Sequence, residues 1–179
     1  VLVVAAVLAA RRNRFYLAGL AGMLAAMTRF LGVLVLIPVG LEYFSARGEK
    51  RFRVDRTTPS LALIPLGMII YFGYLWRLTG NPFAYFTAQA GWHKQVVGPW
   101  YHLVRWLTSG AFNGEVLFDL GVVVFMVALL VLGFRLVRRS YWIYVLAYFL
   151  VLLSSTNLLG LSRYCAGLFP VYLVLAALA

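Results

Sequence analysis

Charge, cysteine and acidic residues are all scarce in this sequence. Only 12% of its 179 residues are charged, 64% are hydrophobic, and the mean hydropathy is +0.90. A soluble domain is about 45–50% apolar and about 25% charged. A water-soluble domain of this size is therefore excluded, and so is a disordered chain. A single cysteine, Cys165, excludes a disulfide framework and a Cys-rich metal site. It reads as a small buried residue. The two histidines, His93 and His102, have no third ligand in register, whereas catalytic zinc normally takes three protein ligands. Five acidic residues against 16 basic ones leave a net charge of +11. In so apolar a chain that excess marks loops facing the cytoplasmic leaflet, and no nucleic-acid partner is expected.

What is abundant is long apolar sequence. Twenty uncharged residues separate Arg56 from Arg77, and 23 separate Arg139 from Arg163. A third run, 111–134, is apolar apart from Glu115 and Asp119 near its start, and Cys165 to Ala179 reads as a last helix. Each complete run matches the roughly 20 residues that cross a bilayer. The expected fold is all-α, a polytopic transmembrane bundle, because only helices and closed barrels satisfy their backbone inside lipid. The sequence starts without Met in the apolar run Val1–Ala10 and stops in another. It reads as 1–179 of a single transmembrane domain, the C-terminal portion of a longer protein with its first and last helices clipped. A multi-pass protein of a bacterial plasma membrane, or of the endoplasmic reticulum in a eukaryote, follows as the expected location, with membrane lipids as partners.

The segment from Phe15 to Phe44 is ambiguous because Arg29 interrupts it. It reads as one tilted span or as two half-helices folded back at Thr28 and Arg29. Counting cations decides between them. If the chain folds back, 11 cations lie on one side: Arg11, Arg12, Arg14, Arg47, Lys50, Arg51, Arg53, Arg56, Arg135, Arg138 and Arg139. Only Lys94, Arg105 and Arg163 then lie opposite, with Arg77 at a boundary. A single crossing breaks this asymmetry, so the hairpin is expected. It puts the 79–110 connection outside the cytoplasm. Trp92, Trp100, Trp106, Tyr85 and Tyr101 are spread through that connection, a composition suited to short helices at the membrane interface. Asn81-Pro82 reads as a helix start and Gly98-Pro99 as a break.

A few polar residues stand out for chemistry. Arg29 lies within an apolar stretch, where a charge costs at least about 2.5–3.5 kcal/mol on insertion scales. It reads as a ligand for a lipid phosphate, or as a structural arginine satisfied by helix-end carbonyls. Arg163 opens a helix whose dipole it opposes, which also suits an anion site. Glu42 reads more simply as an interfacial partner of a loop arginine. Gln89, Trp92, His93 and His102 combine amide and imidazole groups with flat aromatic faces, as a sugar site does and as an ordinary aromatic belt does. Glu115 and Asp119 are four apart on one helix face, placed for acid–base work or for the helix dipole. Gly19, Gly22 and Ala26 form a small face for helix packing.

Three of these stretches resemble one family. AGLAGMLAAMTRFLGVLVLIP, from Ala18 to Pro38, resembles the "AGL–AALTR–G–LLLP" block of the PIG-V-like mannosyltransferases, the family of GPI mannosyltransferase 2 and its bacterial relatives. Glu42-Tyr43 is similar to the acidic–aromatic pair that follows it. GNPFAYFTAQAGWHKQVVGPW resembles the family's "GDPLAF–AQ–W–R–PW" block, with Asn81 in place of Asp and Lys94 near the usual basic position. Ser162-Arg163-Tyr164 followed by Leu168-Phe169-Pro170 resembles "RY–LFP". The blocks occur in family order. The resemblance implies a GT-C glycosyltransferase. Its donor is polyprenyl- or dolichyl-phosphate mannose and its acceptor a glycan or glycolipid. It implies no cofactor and no metal. It also places the catalytic carboxylate upstream of Val1, assigns Arg29 and Arg163 to the donor phosphate, and assigns Thr28, Gln89, Trp92 and Tyr164 to the sugar or acceptor pocket. Asn81 for Asp speaks against a catalytic or metal role at that position. The rival readings are a transporter or flippase subunit, which calls for inverted repeats that the sequence does not show, and a non-catalytic membrane scaffold.

Overall fold

The computed structural model describes residues 1–48, 56–91, 94–109 and 113–179. Among these residues the chain is helical, with one isolated antiparallel bridge between Val96 and Ser155. It divides into two compact units, Val1–Phe86 and Thr87–Ala179, with the boundary inside the 79–110 connection.

The first unit opens with α1 (Leu2–Arg11) and α2 (Phe15–Thr28), joined through Asn13 in the left-handed region at φ 57°. Asparagine accepts that conformation better than other side chains. α2 stops at Thr28, whose hydroxyl donates to the Ala25 carbonyl at 2.9 Å, and Arg29 is extended at φ −149°, ψ 136°. A 3₁₀ segment (Phe30–Val35) and α3 (Leu36–Ser45) then lead the chain back. Gly32 permits the reversal, since a Cβ there would collide with the Ala25 carbonyl. At the far end the rings of Phe15 and Tyr43 meet edge to face at 4.9 Å. The break at Thr28–Arg29 is where the sequence placed it, and Arg14 and Arg47 lie at the same end of the hairpin.

α4 (Pro59–Thr79) runs beside α2 in the same direction. A Cβ at Gly19 would strike the Ser60 carbonyl, and one at Gly67 would strike the Met23 carbonyl, so the two backbones approach as closely as glycine allows. Gly22 fits against Ile64 and Val35 in the same way. The small face read from the sequence is thus a packing face. α4 ends at Gly80, left-handed at φ 71°, a helix stop that glycine meets without strain. Asn81 then accepts a hydrogen bond from the Phe83 amide at 2.9 Å and turns the chain into α5 (Ala84–Gly91). Beside the hairpin tip Phe30 stacks on Tyr85 at 5.7 Å and meets Phe86 edge-on at 5.3 Å.

The second unit contains α6 (Tyr101–Ser109), α7 (Gly114–Leu136), α8 (Arg139–Leu153), α9 (Leu161–Ala166) and α10 (Phe169–Leu178). Trp142 donates to the Leu130 carbonyl at 2.7 Å, tying α8 to α7, and Phe169 lies against Tyr141 and Tyr144, tying α10 to α8. Two sequence expectations are corrected here. The uncharged run 140–162 is not one helix: α8 ends at Leu153, where Ser154 turns its hydroxyl back to the Leu150 carbonyl at 2.8 Å. Serine, threonine and asparagine in Ser154–Asn157 compete for the backbone and break the helix. Nor is Cys165 to Ala179 one helix, because the chain turns at Gly167–Leu168 ahead of Pro170.

α4 and α7, with 21 and 23 residues, are long and apolar enough to cross a membrane. The remaining apolar helices are shorter. Large apolar side chains stay uncovered along both candidate spans, among them Ile69 and Tyr74 on α4 and Leu117 and Val131 on α7.

Candidate functional site

Among the described residues, polar side chains gather around a cavity in the second unit. It starts from the chain before α6. Gln95 and Val97 run antiparallel to 154–156: the Val97 amide donates to the Ser154 carbonyl and the Thr156 amide to the Gln95 carbonyl, both at 3.0 Å. The Gln95 amide also donates to the Thr156 hydroxyl at 2.9 Å. This short pairing, made possible because the Ser-Thr-Asn stretch leaves its backbone out of α8, anchors the loop that follows. Asn157 then turns the chain toward α9 by accepting from the Leu159 amide at 2.8 Å.

α6 packs onto that loop through His102. The imidazole is buried, and its Nε2 lies 2.6 Å from the Ser155 carbonyl oxygen. A carbonyl accepts, so Nε2 carries the proton, and in the neutral ring Nδ1 is left as an acceptor. Arg105 and Trp106 follow at three and four residues, on the same helix face. α7 supplies the opposite wall. The Asn113 side chain caps it by accepting from the Val116 amide at 2.9 Å. Glu115 and Asp119 lie in its first two turns, and both His102 and Glu115 are within electrostatic reach of Asp119. Together these groups, with Tyr101 and the 156–158 loop, enclose a cleft of about 490 Å³.

A second feature lies one residue from this scaffold. The Lys94 ammonium is 6.0 Å and the Arg163 guanidinium 5.6 Å from the centre of the Tyr164 ring. Two cations thus lie about one tyrosine ring, each within the range of a cation–π contact. Arg163 also lies against Gly160, which is left-handed at φ 82° and caps α9; it stands in the last turn of that short helix, where a cation suits the dipole, so the opposition expected from the sequence is not found.

The residues singled out from the sequence are placed as follows. His102, Glu115 and Asp119 come together in the cleft, and Arg163, Tyr164 and Lys94 come together beside it. Thr28 and Arg29 are exposed at the hairpin tip of the first unit. Glu42 is buried, at 7% exposure, next to Tyr43. Gln89 is half-buried on α5, and Cys165 is buried on α9. Trp92 and His93 lie outside the described residues. Trp100, 67% exposed, precedes α6. Among the described residues no group of three His, Cys, Asp or Glu is placed to hold a metal ion. Sequence reasoning missed Arg105, Trp106, Asn113 and Asn157. The spacing of His102, Arg105 and Trp106 was the available signal for the first two, and the cap position before a long apolar helix for Asn113.

No family model, curated protein or solved structure matches the chain.

Proposed function

We propose that the chain is part of a multi-pass membrane glycosyltransferase of the GT-C type. On this reading it takes mannose from a polyprenyl-phosphate donor and passes it to a glycan or glycolipid on the extracytoplasmic side. The observation that carries the reading is the pairing of Lys94 and Arg163 about Tyr164, next to the loop that walls a polar cleft. A glycosyl phosphodiester is one negative charge joined to a ring of hydroxyls. A cationic corner beside a hydrogen-bonding cleft, on a unit built around an apolar helix of spanning length, is suited to that combination. The family-like blocks around Arg29, Asn81 and Arg163 support it from the sequence side.

The chemistry follows from charge. As the sugar transfers, the bond from the anomeric carbon to the phosphate oxygen breaks and the phosphate gains a second negative charge. A guanidinium aimed there stabilises the transition state more than the ground state. Arg163 suits this because its planar fork donates to two phosphate oxygens at once, which Lys94 cannot do. From the family-like blocks, Arg29 is assigned to the donor phosphate, and Thr28, Gln89, Trp92 and Tyr164 to the sugar or acceptor pocket.

The test is transfer of radiolabelled mannose from polyprenyl-phosphate mannose to membrane glycolipid by the purified full-length protein in lipid. Transfer from that donor, and none from a nucleotide-linked mannose, is expected. Transfer from the nucleotide sugar alone, or from neither, overturns the proposal.

A further inference from the structure

The cleft between α6, the start of α7 and the 156–158 loop holds a combination that packing does not require. α7 carries no charge from Leu120 to Phe134, so its interior is suited to an apolar surrounding. Glu115 in its first turn is stabilised by the helix dipole, but that effect fades within a turn, and Asp119 lies beyond it. Two carboxylates at i and i+4 also repel. Asp119 is nevertheless half-buried against the cleft.

The donors and acceptors around the cavity identify what it suits. The side-chain oxygens of Asn113 and Asn157 are each taken by a backbone amide, from Val116 and Leu159. Each asparagine keeps both N–H donors to offer, with one lone pair of its oxygen already used. Arg105 offers only N–H, whereas Glu115 and Asp119 only accept. A simple anion meets two carboxylates here. A divalent cation meets a guanidinium in the same wall. A sugar ring meets neither objection, because each hydroxyl both donates and accepts and neighbouring hydroxyls can satisfy opposite walls. Trp106, largely buried against His102, adds an aromatic side chain to the lining. The volume, about 490 Å³, lies in the ordinary range of small-molecule pockets, roughly 300–1,000 Å³.

We infer that this cleft binds a neutral hexopyranose ring, with Glu115 and Asp119 accepting from ring hydroxyls and Arg105, Asn113 and Asn157 donating to them. Its use as the acceptor site rests on the transferase reading; the binding of a sugar ring there does not.

The experiment is photolabelling of the full-length protein in lipid with a diazirine-bearing methyl mannoside, followed by peptide mapping. Label is expected on peptides covering 101–119 and 155–158, with competition by unlabelled methyl mannoside. Glu115→Ala and Asp119→Ala should each lower labelling about tenfold, the usual result of losing one hydrogen bond to a charged group. Glu115 is exposed at the helix start, so Glu115→Ala carries the test even where Asp119→Ala does not fold. Label mapped elsewhere, label unchanged in the folded variants, or equal competition by inorganic phosphate or magnesium overturns the inference. Labelling of the cleft without mannose transfer removes the transferase reading and leaves this one standing. Transfer with labelling elsewhere does the reverse.

Discussion

His102 Nε2 lies 2.6 Å from the carbonyl oxygen of Ser155, 53 residues further along the chain. That contact fastens the amphipathic α6 to the loop where α8 gives way, and so fixes two of the three walls of the cleft. The imidazole is buried and the bond part-buried, so removing the ring gives up both the bond and its packing.

His102→Ala should therefore destabilise the protein by about 1–3 kcal/mol. For a chain of this length that corresponds to a fall in Tm of several degrees, at roughly 2–4 °C per kcal/mol. Thermal unfolding in detergent, followed by circular dichroism, measures it. An unchanged Tm would mean that the imidazole does not hold α6 in place.

Glycine substitutions on the first unit should separate cleanly. Gly19→Ala and Gly67→Ala push a methyl into a backbone carbonyl across the α2–α4 contact and should cost about 1–3 kcal/mol each. Gly73→Ala on α4 meets nothing within 4 Å and replaces a poor helix former, so it should be neutral or stabilising. Unfolding of the three variants by titration with a denaturing detergent gives the order directly.

The hairpin predicts sidedness. In a background carrying Cys165→Ser, cysteines placed at Arg14 and at Arg47 should react with a membrane-impermeant maleimide from the same side of sealed vesicles. A cysteine at Asn81, at the other end of α4, should react from the opposite side. Labelling of positions 14 and 47 from opposite sides would be incompatible with a returning chain.

The cationic corner predicts a graded loss of mannose transfer. Arg163→Ala and Lys94→Ala should each reduce the rate at least about tenfold, the scale of one charge-assisted hydrogen bond in a transition state. Arg163→Lys should fall between Arg163→Ala and the unaltered protein, because it keeps the charge and loses the fork. Arg29→Ala is expected to behave like Arg163→Ala. Rates equal to the unaltered protein in all the Ala variants would remove the phosphate assignment.

The readable parts of this fold were those governed by long-range averages. Two apolar runs of sufficient length became α4 and α7, and the asymmetry of loop cations located the reversal at Arg29. The small face at Gly19 and Gly22 was legible because close helix packing needs small residues wherever it occurs. What stayed hidden depended on local competition. Ser154 to Asn157 are uncharged and pass as part of a span, yet their side chains bond nearby backbone and end α8 early. The cleft was half visible. His102, Glu115 and Asp119 stood out as rare polar groups, but nothing in their separation along the chain announced that the Val96–Ser155 bridge would gather them with Asn157.

The reversal at Arg29 also constrains how the protein is made. α2, with 14 residues, is about 21 Å long, shorter than the roughly 30 Å hydrocarbon layer. In the membrane arrangement proposed above, α2 therefore ends within that layer at a charged residue, whose own amide and carbonyl are bonded to Ala25 and Gly32. The helix that covers α2, through Gly67 and Ser60, is synthesised some 30 residues later. The hairpin therefore has no settled place in the bilayer when it leaves the ribosome. It must wait, sheltered by the insertion machinery, until α4 arrives, and the α2–α4 contact becomes a checkpoint in biogenesis. Variants that weaken that contact should be lost to proteolysis during synthesis before any defect in the finished protein is seen.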